Sequence, residues 1–153
     1  MFSMNAIADS DTYNGFTLDY VQSGQNGKYD STSGVAILRS VRLTERYGYE
    51  MQFGLFGTIG PYSTNGFIDL SAIGLLPLNE TGFKLYGKAG LADVYSRGSL
   101  GGANNFGLTY GAGVEFKRDI GKVRLGLQRV TVGNGTMPPL HRTYLFALTL
   151  FLK

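Results

Sequence analysis

Seven ionisable residues occur singly, and with both signs, in segments where large apolar residues alternate with small or polar ones. They are Asp19, Glu50, Asp69, Lys84, Lys88, Glu115 and Arg124. Acids and bases distributed in this way can neutralise one another across an enclosed interior, where an unpaired charge costs several kcal/mol. Glu50 and Glu115 also fit the residue types of a general acid–base pair. We expect charge compensation, and we predict no catalytic residue.

Other chemistry has little support in the sequence. The only histidine, His141, precedes Thr143 by two positions, and no acidic residue follows to orient it as the base of an activated hydroxyl. With no cysteine and a single histidine, a transition-metal site is not expected. The glycine clusters lack the Lys-Ser/Thr ending of a phosphate-binding loop. We therefore predict neither a metal nor a cofactor.

The alternating segments must position the charged residues. Between Phe106 and Lys117 the larger apolar residues occupy every second position, and the segment from Tyr144 to Leu152 repeats this pattern. A period of two predicts strands with two unlike faces. The apolar face includes the residues that we predict to contact lipid, namely Leu108, Tyr110, Val114, Phe116, Phe146, Leu148 and Leu150.

The chain of 153 residues contains about eight such segments. Each has about nine to eleven residues, as expected for tilted strands that cross a bilayer. Long connections, predicted at 23–33, 57–65, 96–105 and 132–142, alternate with short turns. This order predicts an all-β fold, an eight-stranded antiparallel up-and-down transmembrane β-barrel over residues 14–153. Residues 1–13 are expected to be a tail, in which Ala6-Ile7-Ala8 resembles the end of a secretory signal peptide.

Periodicity alone cannot say which face points inward, because a soluble ligand-binding barrel of the lipocalin type would show the same alternation. Two features favour the membrane. The polar faces are rich in glycine, which suits a narrow lumen and would leave a soluble exterior thinly charged. The charges on those faces recur singly and with both signs, so that they can pair across a closed interior. No basic run occurs, which argues against nucleic acid as a partner. Four tyrosines, at positions 20, 49, 110 and 144, fit the aromatic belt of a membrane barrel.

From Phe16 onward the chain resembles the eight-stranded barrels of outer membrane protein A and the opacity-type surface proteins. The resemblance is clearest in Val41-Arg42-Leu43 to Gly48-Tyr49-Glu50-Met51, in Gly111 to Phe116 and in the closing strand. It implies a lumenal pair between Glu50 and Arg124. A second pair of the family joins Glu115 to a fourth-strand lysine, but that position is about Ile73 here. Lys84 or Lys88 would then substitute.

The resemblance implies a small, non-enzymatic, monomeric protein of a Gram-negative outer membrane. Its partners would be outer-membrane lipid and a surface ligand at the loops, with at most a narrow gated pore. An alternative is a lipid-deacylating barrel, because such enzymes resemble this architecture and use a histidine with a serine two residues on. Arg39 does not fit a membrane barrel, because it lies on the same face of its strand as Ile37 and Val41 and would therefore point toward lipid. We expect a bulge or a flipped register to turn it inward.

Overall fold

The computed structural model describes residues 11–25, 28–59, 62–78, 82–99, 101–118, 121–132 and 142–152. They form eight strands: β1 (Asp11–Gln25), β2 (Lys28–Arg42), β3 (Tyr47–Phe56), β4 (Tyr62–Pro77), β5 (Phe83–Gly98), β6 (Gly101–Arg118), β7 (Gly121–Val132) and β8 (Arg142–Leu152). Each strand pairs antiparallel with the next, and β8 pairs with β1, so the sheet is a closed barrel. The predicted fold is confirmed. No helix in the described part of the chain is long and apolar enough to cross a membrane.

The pairing register fixes the size of the barrel. A walk across partners runs from Thr12 to Val41, Tyr49, Ala72, Ala89, Tyr110, Arg129 and Tyr144, and returns to β1 at Gln22. The return point lies 22 − 12 = 10 residues along β1. Eight strands with this stagger must tilt by about 35–45°, and their interior is just wide enough for side chains to fill.

The connections between strands lie at the two ends of the barrel. We call these the turn end and the loop end, after the short turns and the long loops that the sequence predicts there. At the turn end, residues 43–46, 78–82 and 119–120 join strands, and Thr44 accepts hydrogen bonds from the backbone N–H groups of Arg46 and Tyr47. Gly82, with φ 86°, precedes β5 there and adopts a backbone conformation that other residues rarely adopt. At the loop end the connections are 26–27, 57–61, 99–100 and 133–141.

Three sequence predictions need correction. Most of the loops predicted at 23–33 and 96–105 are strand, since Ser31 and Ser33 pair with β1 and Asn105 pairs with β5. The loop predicted at 57–65 is also too long, because β4 begins at Tyr62. Strands therefore reach 18 residues in β6 rather than nine to eleven. β1 begins at Asp11, inside the predicted tail, while residues 1–10 lie outside the described residues.

Arg39 also departs from its prediction. β2 keeps an unbroken register through Arg39, which pairs with Asn14 and Met51 and points outward. In the described residues the one register shift lies between Tyr62 and Thr64. No bulge is needed because Arg39 lies three residues before β2 ends, so that its long side chain can extend toward the polar rim.

Candidate functional site: a filled lumen and an apolar outer surface

Among the described residues, eight ionisable side chains are buried inside the barrel, and their formal charges sum to zero. Four are acids and four are bases: Asp19, Glu50, Asp69 and Glu115, with Arg42, Lys88, Lys122 and Arg124. They point inward because each lies on the face of its strand opposite to the large apolar residues. Charges in a low-dielectric interior are tolerated when they are paired and hydrogen-bonded.

The first group, the turn-side ion cluster, consists of Arg42, Glu50, Glu115, Lys122 and Arg124. Arg124 is its centre: Nη1 lies 2.8 Å from Glu50 Oε1 and donates to Oε2 at 2.9 Å, while Nη2 donates to Glu115 Oε2 at 2.8 Å. Arg42 Nη2 lies 3.0 Å from Glu115 and 3.8 Å from Glu50. Lys122 Nζ lies 3.7 Å from Glu115. The two carboxylates thus share Arg42 and Arg124, and Glu115 has Lys122 as a third cation, so that both are held as ion-pair partners.

Aromatic rings enclose the central guanidinium. Arg124 Cζ lies 4.4 Å from the ring centroid of Tyr86 and 4.6 Å from that of Phe151. Glycines provide the room for this stack. A Cβ on Gly126 would lie 1.7 Å from Tyr86 Oη, and a Cβ on Gly113 would lie 2.1 Å from the carbonyl oxygen of Leu125. The lumen-facing glycines therefore permit the close packing around Arg124.

Asp69 is the hub of a second group nearer the middle of the barrel. Its carboxylate accepts hydrogen bonds from Lys88 Nζ at 3.3 Å and Thr109 Oγ1 at 3.2 Å, and also from Ser71 and Gln128. Lys88 donates in addition to Gln52, at 3.0 Å. Asp19 is buried without joining this group, and its Oδ1 has no hydrogen-bond partner among the described residues.

An apolar plug closes the lumen toward the loop end. Its nine buried members come from seven of the strands and from the connection after β3: Val21, Ala36, Phe56, Ile59, Phe67, Ala92, Val94, Val130 and Leu145. Phe56 and Phe67 pack at a centroid distance of 6.1 Å. Because side chains fill both the charged and the apolar parts, the barrel interior resembles a packed core more than a water-filled channel.

The outer surface is the reverse of that of a soluble protein. Leu108 is 61% exposed, Val114 39% and Phe146 48%, whereas Glu115 is 1% exposed. Tyr110, Leu148 and Leu150 are exposed as well. Phe116 is half-buried because its ring packs on that of Phe83, with 4.4 Å between the ring centroids. Most of the exposed large hydrophobic side chains form a continuous band around the barrel, as in membrane barrels. This orientation argues against the soluble lipocalin-type alternative.

The structure brings together some of the predicted charged residues and separates others. Glu50, Glu115 and Arg124 meet, but Glu115 pairs with Arg42, Lys122 and Arg124 rather than with the lysines expected from the sequence. Lys88 pairs with Asp69 instead, and Lys84 lies half-buried in a cavity at the turn end. The sequence interpretation missed Arg42 and Lys122. Both share the inward phase of their strands, which was the available signal.

The hydroxyl considered for a deacylase points into the lumen. Thr143 is buried, with its Oγ1 3.4 Å from Ser23 Oγ, so it faces away from lipid. His141 lies outside the described residues. Within the described residues, no group of three metal-binding side chains occurs.

Comparison with known proteins agrees with this geometry. No family model and no curated protein sequence matches the chain. Among solved structures, Neisserial surface protein A is similar with a TM-score of 0.77 and 12% identity, covering 93% of this chain and 96% of that one. Ail, the attachment invasion locus protein of Yersinia pestis, has a TM-score of 0.60 and 14% identity over 92% and 94%. The N-terminal barrel domain of Pseudomonas aeruginosa OprF has a TM-score of 0.61 and 14% identity over 93% and 100%. These neighbours are eight-stranded outer-membrane barrels, so the resemblance found in the sequence is confirmed at the level of fold.

Proposed function

We propose that the chain is a small integral protein of a Gram-negative outer membrane, monomeric and non-enzymatic, which presents its loop end at the cell surface. The observation that carries the proposal is the inverted surface, with leucine and phenylalanine outside and ions within. Burying this apolar band in acyl chains removes it from water, at roughly 25 cal/mol per Å². The likeness to the outer-membrane barrels supports the location.

The surface role would belong to strand ends more than to loops. β5 has 16 residues, which at about 3.3 Å each and a tilt near 40° span roughly 40 Å along the barrel axis. An outer-membrane barrel needs an apolar band of only about 25 Å. The β5–β6 hairpin, with Arg97 and Asn104 near its tip, would therefore project from the membrane and offer a small, rigid contact surface.

A first experiment tests membrane insertion. The protein is refolded into detergent or phosphatidylcholine vesicles and run on a gel with and without boiling. A folded membrane barrel migrates differently before boiling, whereas a soluble barrel would fold in buffer without any amphiphile. A folded state that persists in detergent-free buffer would contradict the proposal.

A second experiment tests which end faces outward. The chain contains no cysteine, so Asn104→Cys at the loop end and Glu45→Cys at the turn end each introduce a single thiol. Intact cells are treated with a membrane-impermeant maleimide, and lysed cells serve as the control. We expect labelling of N104C alone in intact cells. Labelling of E45C alone would reverse the proposed orientation.

A further inference from the structure

Arg129 is an outward-pointing arginine held between two tyrosine rings. Its Cζ lies 5.4 Å from the ring centroid of Tyr144 and 5.8 Å from that of Tyr110, which are its register partners on β8 and β6. The outward side chains of β7 are apolar up to Leu127, and Arg129 comes next, three residues before the strand ends. On β7 the guanidinium therefore marks the loop-end limit of the apolar residues, while on β6 Leu108 and Phe106 extend farther toward the loop end.

This guanidinium has unused hydrogen-bonding capacity. Its Nε is buried and has no hydrogen-bond partner in the described part of the chain, and no ion pair between described residues includes Arg129. A guanidinium carries five N–H donors in a planar fork that matches two oxygens of a phosphate. The two tyrosine rings flank the cation, and no hydrogen bond between described residues occupies its donors.

An apolar groove leads away from Arg129 toward the turn end on the outside of the barrel. Its walls include Leu85, Val114 and Leu127, and the short side chain of Ala112 lies between them. The groove is shallow there because Gly87, the β5 partner of Ala112, has no side chain; a Cβ at this position would meet no atom closer than 4.0 Å. The steric demands that fix the lumenal glycines are thus absent from this outer position.

We infer that Arg129 and this groove bind a phosphorylated, acylated glycolipid of the lipid A class, with a phosphate on the guanidinium and an acyl chain over Ala112. The inference rests on the proposed outer-membrane location. A cation at the head of an apolar groove complements an anionic headgroup with an attached chain. The loop end faces the outer leaflet, where the phosphorylated lipid is a glycolipid rather than a glycerophospholipid. Tyr110 and Tyr144 would contact the headgroup region, as tyrosines at membrane interfaces do.

The test measures lipid retention by native mass spectrometry on detergent-folded protein. The probes are diphosphoryl lipid A, its dephosphorylated form and phosphatidylglycerol, each at the same concentration. We expect diphosphoryl lipid A to be retained in preference to the other two. Arg129→Gln should weaken its binding about fivefold, the effect of one arginine at an anionic lipid surface. Ala112→Leu, which fills the groove, should weaken binding of both forms of lipid A.

Arg39→Gln is the matched control, since Arg39 also points outward but lies near the turn end, and it should leave binding unchanged. Equal losses in R39Q and R129Q would overturn the inference, as would equal retention of phosphatidylglycerol. If R129Q fails to fold, the comparison of phosphorylated with dephosphorylated lipid A on the unaltered protein still tests whether the site recognises the phosphate; equal retention of the two would overturn the inference. Heat-modifiable mobility of the same samples reports membrane folding separately, so failure of the proposed function and failure of the lipid site are distinguishable.

Discussion

Replacing Arg124 with methionine removes the central cation of the turn-side ion cluster and keeps a side chain of similar length between Tyr86 and Phe151. The substitution deletes the contacts of 2.8 Å to Glu50 and to Glu115. Glu115 keeps Arg42 at 3.0 Å and a lysine at 3.7 Å. Glu50 keeps only Arg42, at 3.8 Å. The loss therefore falls mainly on Glu50.

The expected destabilisation follows from this asymmetry. Removing one partner of a buried ion pair costs about 3–5 kcal/mol, because the other charge is left uncompensated. Both carboxylates lose a contact, but Glu115 keeps a cation at 3.0 Å and Glu50 keeps one only at 3.8 Å. We therefore expect R124M to lower the free energy of unfolding by the cost of one uncompensated charge, not of two. Adding Glu50→Gln removes the stranded charge, so E50Q/R124M should be more stable than R124M alone.

Urea unfolding in phosphatidylcholine vesicles measures these differences. The chain has no tryptophan, so far-ultraviolet circular dichroism and gel mobility report the folded fraction. Arg39→Met, which removes an outward arginine, is the control for the loss of a positive charge. An R124M variant within about 1 kcal/mol of the parent in stability would contradict this prediction, since that difference is too small for a broken buried pair. The prediction would also fail if E50Q/R124M were no more stable than R124M.

Three further predictions concern the packing, the outer surface and the lumen. Gly90→Ala should sharply reduce the fraction that folds, because its Cβ would lie 2.0 Å from the carbonyl oxygen of Leu70, whereas Gly87→Ala should fold normally; gel mobility after refolding compares the two. Leu148→Arg, midway along β8, should cost about 2–4 kcal/mol of stability in a bilayer, against about 0–1 for Asn104→Arg at the loop end, and equal urea midpoints would contradict the membrane orientation. The parent protein in a planar bilayer should show no sustained conductance, because the apolar plug and the turn-side ion cluster fill the lumen; steady single-channel currents would contradict this.

Alternation predicted the strands and their faces well because the two environments of a membrane barrel differ strongly. It failed where a strand leaves the lipid. Ser31 and Ser33 are polar, and the sequence placed them in a loop, yet they continue the ladder with Gln22 and Tyr20. Outside the membrane, both faces of a strand can contact water. A polar residue there indicates contact with water, and it does not tell whether the residue belongs to a strand or to a loop.

The charge clusters were harder to predict than the faces. The inward position of Glu115 follows from its strand, but its partners depend on the stagger of ten residues around the closed barrel. Arg42 lies on β2 and meets Glu115 on β6 at 3.0 Å, a contact across the lumen that no local pattern encodes. The resemblance to a family supplied the pair between Glu50 and Arg124. It could not supply Arg42 or Lys122, because this chain differs from the family at the fourth strand.

The ion clusters also help to specify the strand register, which the pattern of outward apolar residues leaves open. A slip of two residues between neighbouring strands keeps every apolar side chain outside, so the hydrophobic band alone specifies the register poorly. The charges remove this degeneracy. In the observed register Arg124 lies opposite Glu115. A slip of two residues in one direction would place Arg124 opposite Gly113 and leave Glu115 with Lys122, the weaker of its cations. A slip in the other direction would set Arg124 beside Lys117, two positive charges, and would leave Glu115 opposite Gly126.

We therefore expect the double variant E115Q/R124M to fold with a less uniform β6–β7 register. Cysteine pairs can detect this, because the chain contains no native thiol. Ala112 and Leu127 are register partners, so A112C/L127C should crosslink in the parent protein. V114C/L127C should crosslink only after the slip of two residues that sets position 124 beside Lys117, and we expect this product to increase in the E115Q/R124M background. If its yield stays at the parent level, packing alone sets the register, and the buried ions serve only to neutralise one another.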